Sequence, residues 1–249
     1  MIDTELFELA TEAALRIETD GGIGTLAEHK LHHTLKYYVQ PDNAFHEVKR
    51  ASFVCDAVTE NGVFEIQTRA FNRLVSKLDA LLDDAPFTVV YPMIQEKRLL
   101  TTELSTGEIK IRKSPLKGSV FELFRELYRI RSYIKHENFR LRVIKLNADE
   151  HRLKDSSLKR RRGEKRYIKT ERIPTAIISD VTYRSLSDYA SFLPDGLPDV
   201  FGTKELSAFS GLRQNECSIV LRVLTEIGVL ERVGKKGNAY LYRRCAISI

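Results

Sequence analysis

Two acids and an amide lie at close spacing in residues 56–67, where Asp56, Glu65 and Gln67 carry oxygen atoms of the kind that bind a hard cation. Asn61-Gly62 predicts a two-residue β-turn between them, because both residue types tolerate a positive φ. Side chains alternate across a strand, so this turn puts Asp56 opposite Gln67 and places all three polar groups on one face. These residue types suit a Mg²⁺ site, but on the hairpin alone a polar face that only meets solvent is the better interpretation.

The flanking segments predict the elements that would hold this hairpin. Residues 25–39 predict a helix with Leu31 on its inner side, and Glu28 lies on that same side. Residues 71–82 predict a second helix, and the apolar residues 87–94 predict a buried strand. A carboxylate on an apolar stripe is costly without a partner, so Glu28 is a further candidate for the site.

The three histidines of the first predicted helix are His29, His32 and His33. No cysteine and no further histidine accompanies them at the spacing of a zinc site. They therefore predict a solvent-facing side of the helix.

The order helix, strands, helix, strand, together with Asp56 and the Glu65-Ile66-Gln67 triplet, resembles the restriction-endonuclease-like superfamily of PD-(D/E)XK nucleases, Holliday-junction resolvases included. The resemblance covers residues 25–100 and implies an α/β fold with an αβββαβ core. It also extends to bacterial proteins of this superfamily that end in a winged helix. In the superfamily, one acid lies on the second strand and an acid-x-lysine on the third, so Gln67 replaces the usual lysine.

The resemblance implies a site in which Asp56 and Glu65 bind one or two Mg²⁺ or Mn²⁺ ions. It implies catalytic roles for four residues: Glu28, Asp56, Glu65 and Gln67. Gln67 would orient the attacking water or lend its carbonyl oxygen to the metal, and Glu28 would complete the shell or polarise the water. The activity implied is phosphodiester hydrolysis.

Composition and charge bound the class of protein. At 249 residues the chain can bury a substantial core. It contains no apolar run long enough to cross a membrane and no secretory segment at its start, so we expect no membrane partner and a cytoplasmic location. Its three cysteines are too few and too widely spaced for a disulfide framework or a zinc motif, which also favours a reducing compartment.

Positive charge is concentrated in one segment. Between His151 and Arg172 there are ten Lys or Arg and three acids, a net charge of +7, whereas the whole chain carries +6. Such a segment is typical of a polyanion-binding surface, although a solvated linker has the same composition. The residues of this segment that we expect to contact DNA are Lys159, Arg160, Arg161, Arg162 and Arg166. A second basic stretch, with Arg112 and Lys113, is either a phosphate-binding loop or a solvent-facing connection.

The C-terminal region predicts a helix over residues 203–210, a second helix over residues 213–227 that Gly228 ends, and a hairpin around residues 234–238. This order resembles a winged helix, in which the second helix enters the major groove and the hairpin meets the backbone. The candidate DNA contacts are Gln214, Asn215, Ser218, Arg222, Lys235 and Lys236. Winged helices also act as protein-binding or dimerisation modules, so a homodimer is an alternative use of this region.

Together these features predict a nuclease-like domain in residues 1–150, a basic linker in residues 151–182 and a winged helix in residues 183–249. The predicted function is metal-dependent DNA endonuclease, with the DNA positioned by the winged helix. Two alternatives stay open: a non-catalytic DNA-binding regulator on a decayed nuclease scaffold, and a core that binds protein.

Overall fold

The computed structural model describes residues 2–17, 26–115, 118–155 and 167–246, with only the backbone described for residues 26–29. These residues form helices and a large mixed sheet, which confirms the predicted α/β class. None of the helices in the described ranges combines the length and apolar character needed to cross a membrane.

The first part of the chain is two helices followed by a three-stranded meander. Its elements are α1 (Thr4–Arg16), α2 (Leu26–Val39), a 3-10 turn (Asn43–Phe45), β1 (His46–Arg50), β2 (Phe53–Thr59) and β3 (Gly62–Ile66).

The middle of the chain alternates helical segments with long strands. Its elements are a 3-10 turn (Phe71–Leu74), α3 (Val75–Leu81), β4 (Phe87–Glu103), β5 (Ile109–Lys113), α4 (Val120–Leu127), β6 (Phe139–Lys154) and β7 (Ile168–Tyr183).

The last part of the chain is mainly helical and ends in a hairpin. Its elements are α5 (Leu186–Ala190), β8 (Val200–Phe201), α6 (Thr203–Ser210), α7 (Gln214–Glu226), β9 (Leu230–Lys236) and β10 (Ala239–Arg244).

The large sheet has the strand order β1-β2-β3-β4-β6-β7, with β5 paired to β4, and a small sheet has the order β8-β10-β9. The chain divides into two compact units. Unit 1 comprises Met1–Ile66, Pro92–Gly118 and Val143–Val181, and unit 2 comprises Gln67–Tyr91, Ser119–Arg142 and Thr182–Ile249. The domain boundaries near residues 150 and 183 stay a prediction, because compactness does not test independent folding.

In unit 1, α1 packs on α2 through small and aromatic residues. Phe7 lies edge-on to Tyr38 with the ring centroids 5.5 Å apart, and Ala14 is fully buried. The buried Lys30 ammonium donates to the carbonyl oxygens of Ala14 and Ile17 at 3.1 and 2.6 Å, at the end of α1. A cation at a helix C-terminus satisfies carbonyls that have no partner within the helix and complements the helix dipole.

In unit 2, α7 buries an apolar stripe with helical spacing. The buried residues are Cys217, Val220, Leu221, Val223, Leu224 and Ile227. Gly228 follows with φ +91°, which confirms its predicted role in ending the helix in the left-handed region. The predicted hairpin around residues 234–238 is tighter than expected: Lys236 pairs with Ala239, so the turn is Gly237-Asn238.

Both ends of the basic segment lie in strands. Residues 151–154 end β6, and β7 begins at Ile168. Residues 156–166 lie outside the described part of the chain, so the predicted DNA contacts from Lys159 to Arg162, and Arg166, have no structural description.

Candidate functional site

The β2–β3 hairpin brings Asp56 and Glu65 together. Thr59 pairs with Gly62, Val58 with Val63 and Ala57 with Phe64. The next facing positions along the two strands are Asp56 and Glu65. The predicted register, with Asp56 opposite Gln67, is therefore wrong. The turn residues are Glu60 and Asn61, and Gly62 uses its positive φ of 108° as the first residue of β3. This is a displacement of two residues, and it leaves every side chain on its predicted face.

The two carboxylates of the hairpin are tied to its backbone. The Asp56 Oδ2 accepts a hydrogen bond from the Ile66 N–H at 2.8 Å, and the Glu65 Oε1 accepts one from the Asp56 N–H at 3.3 Å. Glu65 is only 4% exposed, whereas 21% of the Asp56 side chain is exposed. Two neighbouring carboxylates repel each other, and a bound cation relieves that repulsion.

His32 on α2 contacts the same carboxylate. Its Nε2 lies 3.1 Å from the Asp56 Oδ2, and a third of its side chain is exposed. The prediction of a solvent-facing histidine side is therefore wrong for His32. The signal was its position one residue after Leu31, at the border of the apolar stripe of the helix.

The other two predicted catalytic residues are only partly defined. Glu28 lies in α2, but its side chain is outside the described residues. Gln67 follows β3 and belongs to unit 2, where its N–H donates to the Val90 carbonyl at 2.9 Å. Its side-chain amide donates to the carbonyl oxygen of Arg69.

The donor set at the hairpin fits a hard cation better than zinc. Among the described residues, no three His, Cys, Asp or Glu side chains are placed to hold one metal ion. Mg²⁺ is usually bound through one or two carboxylates, with water and phosphate oxygens in its other positions. Asp56 and Glu65 match that smaller requirement. The three cysteines are free thiols, and Cys55 and Cys217 are buried.

The predicted basic loop is the end of strand β5. Arg112 and Lys113 are both exposed, and the Lys113 ammonium lies 2.6 Å from the Glu96 carboxylate. They line an open cavity of about 330 Å³ in unit 1.

In unit 2, the predicted DNA contacts of α7 form its exposed side. Gln214, Asn215 and Ser218 are exposed near the start of the helix, and the Ser218 hydroxyl donates to the Gln214 carbonyl at 3.0 Å. Arg222 is also exposed, but its guanidinium lies 4.9 Å from the centre of the Tyr128 ring. This cation–π contact holds the guanidinium beside Tyr128, the residue after α4, so its freedom to reach a base is reduced.

The β9–β10 hairpin carries basic groups around an exposed aromatic ring. Lys235 and Lys236 are exposed, and the Lys235 ammonium lies 4.7 Å from the centre of the Tyr240 ring. Arg232 stacks on the same ring at 4.4 Å. The sequence reasoning missed Arg232 and Tyr240. The signal in the sequence was two short strands with alternating residues that face each other in a hairpin. In the structure Arg232 pairs with Tyr242, two residues from Tyr240.

Comparisons with known proteins give the family of the chain. A model for a domain of unknown function, DUF8091, matches residues 29–184, a span that includes Asp56 and Glu65. An uncharacterized protein of Treponema pallidum (strain Nichols) is 30% identical over 226 residues, which cover 89% of this chain and 87% of that protein. No solved structure matches the chain. Because the domain model matches more than half of its length, the chain belongs to the DUF8091 family.

Proposed function

We propose that this protein is a metal-dependent DNA endonuclease that hydrolyses phosphodiester bonds on a restriction-endonuclease-like core. The observation that carries the proposal is the adjacency of Asp56 and Glu65 on β2 and β3, with the His32 imidazole of α2 against the Asp56 carboxylate. The order α2, β1–β3, α3, β4 supports it, because it matches the αβββαβ core that the sequence resemblance implies.

Each residue of the site has a role in this proposal. Asp56 and Glu65 would hold Mg²⁺ or Mn²⁺. A bound ion of this kind lowers the pKa of a coordinated water and stabilises the charge that develops on the phosphate. His32 orients the Asp56 carboxylate through its Nε2. Glu28 and Gln67 would act on the attacking water, but an amide cannot supply the positive charge of the usual lysine.

DNA positioning is assigned to the C-terminal region as a winged helix. The succession of α6, α7 and the β9–β10 hairpin, with β8 paired to β10, supports this assignment. The exposed Asn215 on α7 and the basic groups around Tyr240 supply base and phosphate contacts, respectively. If the same surface instead mediates self-association, the full-length protein will be a dimer whose affinity for DNA is unchanged in Asn215→Ala.

The test is a cleavage screen over linear, branched and single-stranded DNA with Mg²⁺ or Mn²⁺, using the full chain. Asp56→Ala and Glu65→Ala should abolish cleavage, because each removes a metal ligand. Both should retain DNA binding in EDTA, because basic side chains supply most of that affinity. Glu60→Ala removes an exposed carboxylate from the turn of the same hairpin, so it is the matched control and should cleave normally. Equal cleavage by wild type and the Asp56→Ala/Glu65→Ala double variant would refute the assignment.

A second candidate is a DNA-binding regulator on a decayed nuclease scaffold. It is favoured by Gln67, which stands at the lysine position and whose amide is engaged by the Arg69 carbonyl. DNA binding without cleavage of any substrate by the wild type, and without a response to divalent ions, would select this candidate.

A further inference from the structure

Strand β6 contains a fully buried carboxylate, Glu150, in unit 1. Its Oε2 accepts from the Lys97 ammonium at 2.9 Å and from the Arg172 Nη2 at 3.1 Å. Its Oε1 accepts from the Arg152 Nε at 2.7 Å and also from the Arg152 Nη2. The Lys169 ammonium lies 3.6 Å away. We call these five residues the Glu150 cluster.

The Glu150 cluster holds four cations and one anion. In the described part of the chain, Glu150 is the carboxylate that each of these four cations contacts, so the cluster has a net charge of +3. Only 13% of the Lys97, 8% of the Arg152 and 15% of the Arg172 side chain is exposed. Poorly solvated like charges repel each other, and desolvation adds to the cost, so this arrangement favours a further anion.

Two features give that anion a place and a chemistry. The Arg172 Nε is buried and has no hydrogen-bond partner, so one donor of the cluster is unused. Lys169 is 42% exposed, so it is the member of the cluster that faces solvent most. Guanidinium groups donate in a fixed fork that matches the oxygens of a phosphate, and ammonium groups add point charges. The Arg152 guanidinium also stacks 3.9 Å from the centre of the Tyr167 ring, which holds its plane in position.

We propose that the Glu150 cluster binds a backbone phosphate of nucleic acid. The choice of nucleic acid as the source of the phosphate rests on the proposed function and on the sequence between Arg152 and Lys169, which carries seven more Lys or Arg. One phosphate at the cluster would neutralise part of the +3 charge and accept from the Arg172 Nε. Glu150 itself aligns the four cations and does not contact the ligand.

The test measures binding of the full chain to a fluorescent DNA duplex in EDTA over a range of salt concentrations. Lys169→Gln/Arg172→Gln should reduce the slope of log affinity against log salt by about 1, because each lost phosphate contact removes roughly 0.9 from it. Lys49→Gln/Arg50→Gln makes the same change in charge on exposed residues of β1 and should leave the slope unchanged. An unchanged slope in Lys169→Gln/Arg172→Gln would overturn the proposal. The binding assay contains EDTA, which prevents metal-dependent cleavage, so its result does not depend on that activity. A wild type that binds DNA in this assay but cleaves no substrate in the screen with Mg²⁺ or Mn²⁺ would refute only the proposed function.

A second measurement separates nucleic acid from a small phosphorylated ligand. Inorganic phosphate or pyrophosphate, compared with chloride at equal ionic strength, should raise the Tm of the wild type and not that of Lys169→Gln/Arg172→Gln. Phosphate-dependent stabilisation with an unchanged DNA salt slope would assign the cluster to a small phosphorylated ligand and overturn the nucleic-acid proposal. If the double variant does not fold, Lys169→Gln alone removes the most exposed cation, and an unchanged salt slope and unchanged phosphate response in that variant would also overturn it.

Discussion

Glu150→Gln should lower the free energy of unfolding by about 3 kcal/mol at neutral pH. Burial acts to raise the pKa of the Glu150 carboxyl, but hydrogen bonds from Lys97 and Arg152 outweigh that effect and lower it from 4.5 to about 2. Each pH unit between the two values corresponds to about 1.4 kcal/mol, so the ionised carboxylate contributes about 3 kcal/mol. This agrees with the roughly 3–5 kcal/mol lost when one partner of a buried ion pair is removed.

The same pKa difference fixes the direction of the pH dependence. The folded pKa of Glu150 lies below the unfolded one, so its contribution is complete above about pH 5 and is lost as the pH falls towards 2. Over that window the stability of the wild type should fall more steeply than that of Glu150→Gln, and the two curves should converge.

The measurement is chemical and thermal unfolding followed by far-ultraviolet circular dichroism, because the chain contains no tryptophan. For a chain of this length, about 3 kcal/mol corresponds to a fall in Tm of roughly 6–12 °C. Glu108→Gln is the matched control, because Glu108 is 60% exposed and lies 3.6 Å from Lys110, so it should change stability by less than about 1 kcal/mol. Equal stability of the two variants, with parallel pH curves, would refute the reasoning from the Glu150 cluster.

Three further predictions concern the site, the basic segment and α7. On the proposed function, Gln67→Lys should retain metal-dependent cleavage, since it restores the residue that most nucleases of the resembled superfamily carry; a loss of all cleavage in a folded variant would contradict a catalytic position 67. Replacing the run Arg160–Arg162 with glutamine should flatten the salt slope of DNA binding by about 2–3, and an unchanged slope would make the run a solvated linker. Gly228→Ala should lower stability by about 1 kcal/mol, because its φ of +91° strains any side chain, whereas Gly234→Ala, which has open space around it, should be nearly neutral in thermal melts.

Features that depend on local pattern could be predicted from the sequence. The stripe of α7 and its end at Gly228 follow from helical periodicity and from the freedom of glycine at positive φ. Asp56 and Glu65 were correctly placed on one face although the predicted register was wrong. The two registers differ by two residues, and strand side chains repeat with that period.

Features that depend on packing between distant segments could not be predicted. The His32–Asp56 contact joins α2 to β2, and its formation depends on how the helix lies on the sheet. Strand β6 extends to Lys154, into the residues that the sequence predicts as a basic linker. Glu150 on this strand is buried because Lys97 and Arg172, distant in sequence, neutralise it. Net charge alone could not separate Arg152 and Arg172 from the rest of the basic segment.

The turn of the β2–β3 hairpin has a consequence for folding. Asn61-Gly62 has the residue types that favour a tight loop, yet the loop is Glu60-Asn61. The chain therefore has two possible two-residue loops that differ by one position. A hairpin that first closes around Asn61-Gly62 would not place Asp56 opposite Glu65, but both acids would already lie on the correct face. It could then slide by two residues without any side chain crossing the sheet. A slip of one residue, by contrast, would have to be undone completely, because it would bury Asp56 where Cys55 or Ala57 belongs.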